Sequence, residues 1–311
     1  VPASPATRRL ARELGVELAQ VPASGPAGLV TGEDVGNYAS TRGLKPEPSR
    51  RKARKTTASA PLEADDSRDS PERIAYKSVR RAIGKQMARA WAEIPHVTTQ
   101  DEVDITRLEL LRRRQAPWVK AQGGHLSLTV LMVKAAIRAL KTYPNFNAQL
   151  DLEGGPEDDG AILRHRQYHI GIAVDTPDGL IVPVVRHGDR PNIVELSRIL
   201  SDLVARTRAR KVSLQELQGG TFTITNVGRT GGAFFTPIIN SPQVAILGMG
   251  GARIRPVMVK TSSGEFKTVP RLLLPLTLTI DHRVLDGADA GRFLYLLKEM
   301  LQEPEKLLLL I

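Results

Sequence analysis

The chain has 311 residues, 41% of them hydrophobic, enough to bury one large core and one small one. It contains no cysteine, which excludes disulfides, a cysteine nucleophile and thiolate metal sites and fits a reducing compartment. A net charge of +11 points to polyanionic partners, yet aromatics at 4% poorly supply a base-stacking surface, and no apolar run reaches the ~18–20 residues of a membrane-spanning helix.

Residues 5–14 read as a helix that Gly15 stops. Short extended pieces surround Val16, Leu18 and Val21. A loop at 24–28 leads to a second helix, opened by Thr31 and Asp34 at capping-box spacing. Residues 1–40 thus form a mini-domain near the lower size limit for a fold without staples. Residues 41–71 are rich in Lys, Arg, Ser, Ala and Pro and read as a flexible linker. Its run Arg50-Arg51-Lys52-Ala53-Arg54-Lys55 is either solvated or a hold for an anionic partner such as nucleic acid.

From residue 72 onward the pattern is that of one α/β domain. Apolar residues at 79, 83, 87, 90, 91 and 94 give a helix ended by Pro95, followed by a strand at 96–105. Helices cover 106–120 and 127–142. Strands at 168–174 and 180–185 flank the turn Asp175-Thr176-Pro177-Asp178-Gly179. A helix at 193–209, strands at 221–227, 244–249, 254–260 and 269–280, and a helix at 288–302 complete the chain.

The segment Asp281-His282-Arg283-Val284-Leu285-Asp286-Gly287 sits between the last strand and the last helix, where α/β proteins place catalytic groups. A strand ending in histidine presents an imidazole at the rim of a sheet. The alternative is structural: Asp286 caps the helix, with Asp289 three residues on, and His282 is a satisfied core histidine. Thr225 ends a strand, where a hydroxyl either donates to an oxyanion or is an ordinary strand threonine. The glycine loop Gly231-Gly232-Ala233-Phe234-Phe235 walls an apolar channel or belongs to the core. Of the other histidines, His96, His125, His165, His169 and His187, only His165 and His169 have a spacing worth testing. In an extended strand that spacing holds them more than ~10 Å apart, so no metal site is expected.

Several motifs in one order give the chain a resemblance to the dihydrolipoamide acyltransferase component of 2-oxo acid dehydrogenase complexes. They are the His282 segment, Thr221 to Gly228, Phe235-Thr236-Pro237-Ile238-Ile239-Asn240 and His169-Ile170-Gly171-Ile172-Ala173-Val174-Asp175-Thr176. The resemblance implies a chloramphenicol-acetyltransferase-like catalytic domain over 72–311. It implies acyl transfer, acetyl first and succinyl or branched-chain acyl as alternatives, from acyl-dihydrolipoamide to coenzyme A, without a metal. His282 would take the thiol proton, and Thr225 would hydrogen-bond the tetrahedral oxyanion. Asp286 would order the His282 turn through a buried ion pair, with Arg80 or Arg81 as partner. An ordinary thiol at pKa ~8.5 facing an ordinary imidazole at ~6.5 makes the proton transfer uphill by about 2.7 kcal/mol, a modest cost.

Residues 1–40 resemble the family's peripheral-subunit-binding domain, which holds the decarboxylase or dihydrolipoamide dehydrogenase subunit. Arg8, Arg9 and Arg12 match its basic positions, whereas Pro22 and Leu29 stand where many relatives carry Lys and Arg. The family implies a homotrimer with active sites between subunits, assembled into a 24-mer or 60-mer. The apolar end Leu307-Leu308-Leu309-Leu310-Ile311 matches where relatives dock trimer to trimer, or else it packs on its own subunit. The lipoyl group is expected on a domain outside this chain, which begins at Val1 as a fragment or processed chain does. The bacterial cytoplasm is the expected location, with the mitochondrial matrix as the alternative.

Overall fold

The structure is a computed structural model that describes residues 1–42, 71–76, 78–152, 160–228 and 231–310. The basic run at 50–55 and most of the expected linker lie outside the described residues. The chain divides into two units, Val1–Glu72 and Arg73–Ile311.

In the first unit, α1 (Pro5–Glu13) starts at Ser4, whose hydroxyl accepts the Thr7 N–H. Helix α2 (Gly32–Thr41) starts at Thr31 with the full expected capping box. The Asp34 carboxylate also accepts the N–H and hydroxyl of Ser24. These bonds, the Ser24 hydroxyl foremost, hold Asp34 well below the usual carboxylate range. Around Leu18, expected to be extended, Leu18–Gln20 is a 3-10 turn, and the expected loop at 24–28 contains another at Pro26–Gly28. Ala11, Val16, Val21, Val30, Val35 and Ala39 make the core, and residue count limits it to these small side chains.

The second unit begins with α3 (Ser78–Glu93), β1 (His96–Asp104), α4 (Thr106–Ala121) and α5 (Leu128–Thr142). A hairpin absent from the sequence reading follows, β2 (Ala148–Asp151) with β3 (Ala161–Arg164). The strands expected at 168–174 and 180–185 are each broken in two. β4 (Ile170–Ile172) pairs with β7 (Val184–Val185) in the main sheet, and β5 (Val174–Thr176) pairs with β6 (Gly179–Ile181) in a separate ribbon. Pro183, which has no N–H to give a ladder, falls at the break. Then come α6 (Ile193–Arg208), β8 (Phe222–Asn226), β9 (Ala245–Met249), β10 (Arg253–Lys260), β11 (Phe266–Asp281), α7 (Gly287–Gln302) and α8 (Pro304–Leu310).

The main sheet has the order β1-β11-β9-β8-β4-β7, with β10 also on β11. β8 runs parallel to β4 and β9, and the other pairs are antiparallel. Alternation along β11 sends Leu274, Leu276, Leu278 and Ile280 into the large core with α5 and α7. Thr277 and Thr279 fall on the opposite face, level with Thr225 and Thr223 of β8 across β9. That second face is covered by Ala90 and Ile94 of the α3 segment with Ile239 and Ile246.

Phe293 of α7 is the centre of the large core. It is fully buried, stacks on Phe146 at 4.4 Å and meets Tyr143 and Phe222 at 6.3 and 6.1 Å. Phe293→Ala is expected to cost about 3–5 kcal/mol, since neighbours from three elements cannot collapse into the void. A lowered urea midpoint checks this, with Phe293→Leu losing less.

Candidate active site

β11 delivers the chain to His282 and the turn is fixed from both sides. The Asp281 N–H donates to Val244 O at 2.8 Å and the His282 N–H to Pro95 O at 3.0 Å. The N–H groups of Val284 and Leu285 both return to Asp281 O at 3.0 Å. The Asp281 side chain is 2% exposed, and its carboxylate accepts Arg283 N–H (3.0 Å), Nε (2.9 Å) and Nη2 (2.6 Å). Leu285 then enters the core. With its backbone tied this way, the His282 imidazole is exposed and has no hydrogen bond among the described residues.

Asp286 lies at the surface of the chain. It caps α7, its carboxylate accepting the Asp289 N–H at 2.9 Å while Asp289 accepts the Asp286 N–H at 3.2 Å. The Asp289 N–H, then that of Ala288, hold its carboxyl below the ordinary range, and His282 adds to the effect. The capping alternative is therefore correct. The expected buried pair of Asp286 with Arg80 or Arg81 is not: no ion pair joins them among the described residues, and Arg80 packs against Gly179. The buried pair of this segment is Asp281 with Arg283. Both aspartates flank the histidine in sequence, and only the sheet decides which one it buries.

Thr225 is buried on β8, with no hydrogen bond to its hydroxyl among the described residues. Its cross-strand neighbour is Gly248, whose own neighbour is Thr277. The Phe235 ring lies on Gly248 so closely that a Cβ there would sit 2.8 Å from it. The glycine loop thus lays an aromatic wall beside Thr225. His282 follows Thr277 by five residues along β11, ~17 Å, and lies two strand spacings over, so Thr225 and His282 are roughly 20 Å apart. They occupy opposite ends of the sheet, and a single chain does not bring them together.

Two other histidine environments are explicit. His96 donates from Nδ1 to Ile94 O at 2.7 Å and accepts the Ile239 N–H on Nε2 at 3.1 Å, a satisfied structural histidine. His165 and His169 lie outside the strands, contrary to the extended reading, and line one cavity of about 410 Å³. His169 accepts the His187 N–H on Nδ1 at 3.0 Å, so its Nε2 donates to Gln167 at 2.9 Å. Burial, then His187, Arg186 and His165, push its pKa down. No group of three His, Asp or Glu side chains able to hold a metal occurs among the described residues.

In the first unit the three arginines differ. The Arg8 guanidinium folds back onto Val1 O (2.8 Å) and Ala3 O (3.1 Å), and Arg12 Nε donates to Arg8 O at 3.2 Å. Arg9 is exposed and makes no hydrogen bond or ion pair among the described residues.

The larger unit thus ends a mixed sheet in an exposed histidine with a fixed backbone, and the smaller unit is helical. The model of the 2-oxoacid dehydrogenases acyltransferase (catalytic domain) family matches residues 68–309, and that of the e3 binding domain matches residues 1–36. The chain belongs to this acyltransferase family. It is 40% identical over 311 residues to the dihydrolipoyllysine-residue acetyltransferase component of the pyruvate dehydrogenase complex of Pseudomonas aeruginosa, covering 99% of this chain and 55% of that protein. The like-named component of Staphylococcus aureus is 37% identical, with 99% and 71% covered. The dihydrolipoamide acetyltransferase of Azotobacter vinelandii superposes with a TM-score of 0.71 at 36% identity, over 81% of this chain and all of that one. A truncated catalytic core from Thermoplasma acidophilum gives 0.64 at 38%, over 75% of this chain and 99% of that one. The chain spans about half the length of the first of these curated relatives.

Two outcomes follow from the geometry. Arg283→Leu strands the buried Asp281 charge and is expected to cost about 2–3 kcal/mol, moderated because the guanidinium is itself 34% exposed; turnover should fall with it, read from urea unfolding and an acyl-transfer assay. His169 is held neutral in the fold while the unfolded chain takes up a proton. Its contribution is thus complete above about pH 6.5 and erodes as pH falls further. Unfolding at pH 7.5 and 5.5 should show the loss, and His169→Gln should lessen it.

Proposed function

We propose that this chain transfers an acyl group, acetyl by preference, from acyl-dihydrolipoamide to coenzyme A and forms the oligomeric core of a pyruvate-dehydrogenase-type complex. The observation that carries the reading is His282, whose imidazole is exposed and has no hydrogen bond among the described residues while the N–H groups of residues 281–285 are all bonded. The names of the relatives at 40% and 37% identity favour acetyl over succinyl or branched-chain acyl groups.

In this mechanism neutral His282 accepts the coenzyme A thiol proton as sulfur attacks the thioester carbonyl. The Thr225 hydroxyl of a second copy donates to the tetrahedral oxyanion. Collapse expels the dihydrolipoamide thiolate, which takes the proton back from His282. The Azotobacter vinelandii work concerns a serine, a histidine and an asparagine in that enzyme's mechanism, the last two being four positions apart. His282 and Asp286 have the same separation, with a carboxylate here in place of the amide. Being ionised, Asp286 favours the imidazolium that forms during transfer.

The ~20 Å between His282 and Thr225 supports sites between subunits. Exposed Val79 and Trp91 on α3 supply apolar surface for a trimer, and exposed Leu308 and Leu309 on α8 supply surface for docking trimers. The solved cubic core of a pyruvate dehydrogenase complex, similar at 36% identity and a TM-score of 0.71 over 81% of this chain and all of that one, favours a 24-mer over a 60-mer. Residues 1–36 would hold dihydrolipoamide dehydrogenase or the decarboxylase, with Arg9 and Arg12 better placed than Arg8. The acyl group would arrive on a lipoyl group carried outside the described residues, in the bacterial cytoplasm.

His282→Ala is expected to lower kcat by about 10²–10⁴ and Thr225→Ala by about 10²–10³. Refolded together in equal amounts, the two inactive variants should regain up to about a quarter of wild-type activity, the random fraction of interfaces with both groups intact. No recovery in assembled mixtures would place both groups in one subunit and sink the shared site.

A further inference from the structure

The two carbonyls that hold the His282 turn belong to segments that a second histidine ties together. Pro95 O takes the His282 N–H on one side of β11, and Val244 O takes the Asp281 N–H on the other. His96 directly follows Pro95 and stands opposite Asp281 in the β1–β11 register. Its Nδ1 donates back to Ile94 O at 2.7 Å, so the bond brackets Pro95. Its Nε2 accepts the N–H of Ile239 at 3.1 Å, from a segment 143 residues away in sequence. From Ile239 the chain reaches Val244 through a tight turn. Ser241 N–H bonds to Ile239 O and Gln243 N–H to Asn240 O, each at 3.1 Å.

Both partners of the ring depend on it. Ile94 directly follows α3, at the helix end where carbonyls lack an intrahelical partner. Ile94 and Ile239 are 6% and 0% exposed and pack together with Ala90 and Ile246, so a backbone group left unbonded there has almost no access to water. One neutral imidazole offers a donor on one edge and an acceptor on the other, which matches a carbonyl on one segment and an N–H on the next. The Trp91 ring packs beside it at 5.3 Å. Gln86 of α3 makes a second tie across the same gap, from Nε2 to Ser241 O at 3.0 Å.

We propose that His96 is a positioning residue for His282. By joining the Pro95 and Val244 segments it sets the two carbonyls that aim the His282 turn, and it touches neither substrate. The assignment rests on the acyl-transfer reading, in which the imidazole of His282 has to meet a thiol. At a reacting group a misplacement of about 1 Å costs up to about a hundredfold in rate.

The test uses the full chain in its assembled form. His96→Ala is expected to lower kcat about ten- to a hundredfold, with KM for coenzyme A and acyl-dihydrolipoamide unchanged. Hydrogen–deuterium exchange reads the turn without any chemistry. The amides of Asp281 and His282 should exchange faster in the variant, while those of α5 keep their wild-type protection. His96→Gln places an amide where Nε2 was and keeps an acceptor for Ile239, so it should recover much of the rate and protection. His96→Asn keeps only the local donor to Ile94 O and should recover less. An unchanged kcat, a loss confined to KM, or unchanged exchange at the turn overturns the assignment. A uniform rise in exchange across the domain does so too, since it reports lost stability rather than lost aim. Should His96→Ala fail to assemble, the Gln and Asn variants carry the comparison, and equal rates for the two overturn it. If the wild type turns over no acyl-dihydrolipoamide, the acyl-transfer reading falls. The exchange data alone then sustain the role of His96 in holding the turn or, if unchanged, overturn it.

Discussion

A buried carboxylate governs the end of the last strand. Asp281 is almost wholly removed from water, and an ion in that position is tolerated only when its oxygens are bonded and its charge is met. Arg283, two residues on, supplies both through a bidentate guanidinium and its own N–H. To return that close, the chain must leave the sheet in a tight turn, and His282 is the residue between. Its outward position follows from satisfying Asp281. The cap at Asp286 then starts α7 and fixes the far side of the turn.

The sheet separates the groups it positions. One face is aliphatic and packs on α5 and α7, and the other carries Thr223, Thr225, Thr277 and Thr279. Thr223 is satisfied by Gln243 and Thr279 by Thr98, whereas Thr225 and Thr277 make no side-chain hydrogen bond among the described residues, and of these two Thr225 lies near the end of its strand. Phe235 on Gly248 walls it at one end, and His282 stands at the other. Under the proposed acyl-transfer reading a second copy unites the two, and the exposed apolar residues of α3 and α8 supply surface for that association.

The first unit works at a smaller scale. With a core of small aliphatic residues it relies on polar ties, and Asp34 joins Ser24, Thr31 and the start of α2 in one cluster. Arg8 is drawn into the same economy, holding the carbonyls of Val1 and Ala3. Of the basic residues on α1, Arg9 is exposed and makes no hydrogen bond or ion pair among the described residues.

Local patterns settled much of this molecule. The helices at 78–93, 106–121, 128–142, 193–208 and 287–302 follow from 3.6-residue periodicity and from caps such as Ser127, Asn192 and Asp286, because those signals lie within one or two turns of chain. The motif order was enough to reach the family and to single out His282. Other features depend on what the sheet brings together. The β2–β3 hairpin has weak alternation, and the split of the 168–185 hairpin is set by pairing across to β8. The choice between Asp281 and Asp286 as the buried carboxylate turns on burial, to which a D-H-R-V-L-D string is blind. Likewise, the opposition of Thr225 and His282 and the gathering of Arg164, Arg166, His165 and His169 around one cavity are products of strand register, a long-range property that only tertiary structure decides.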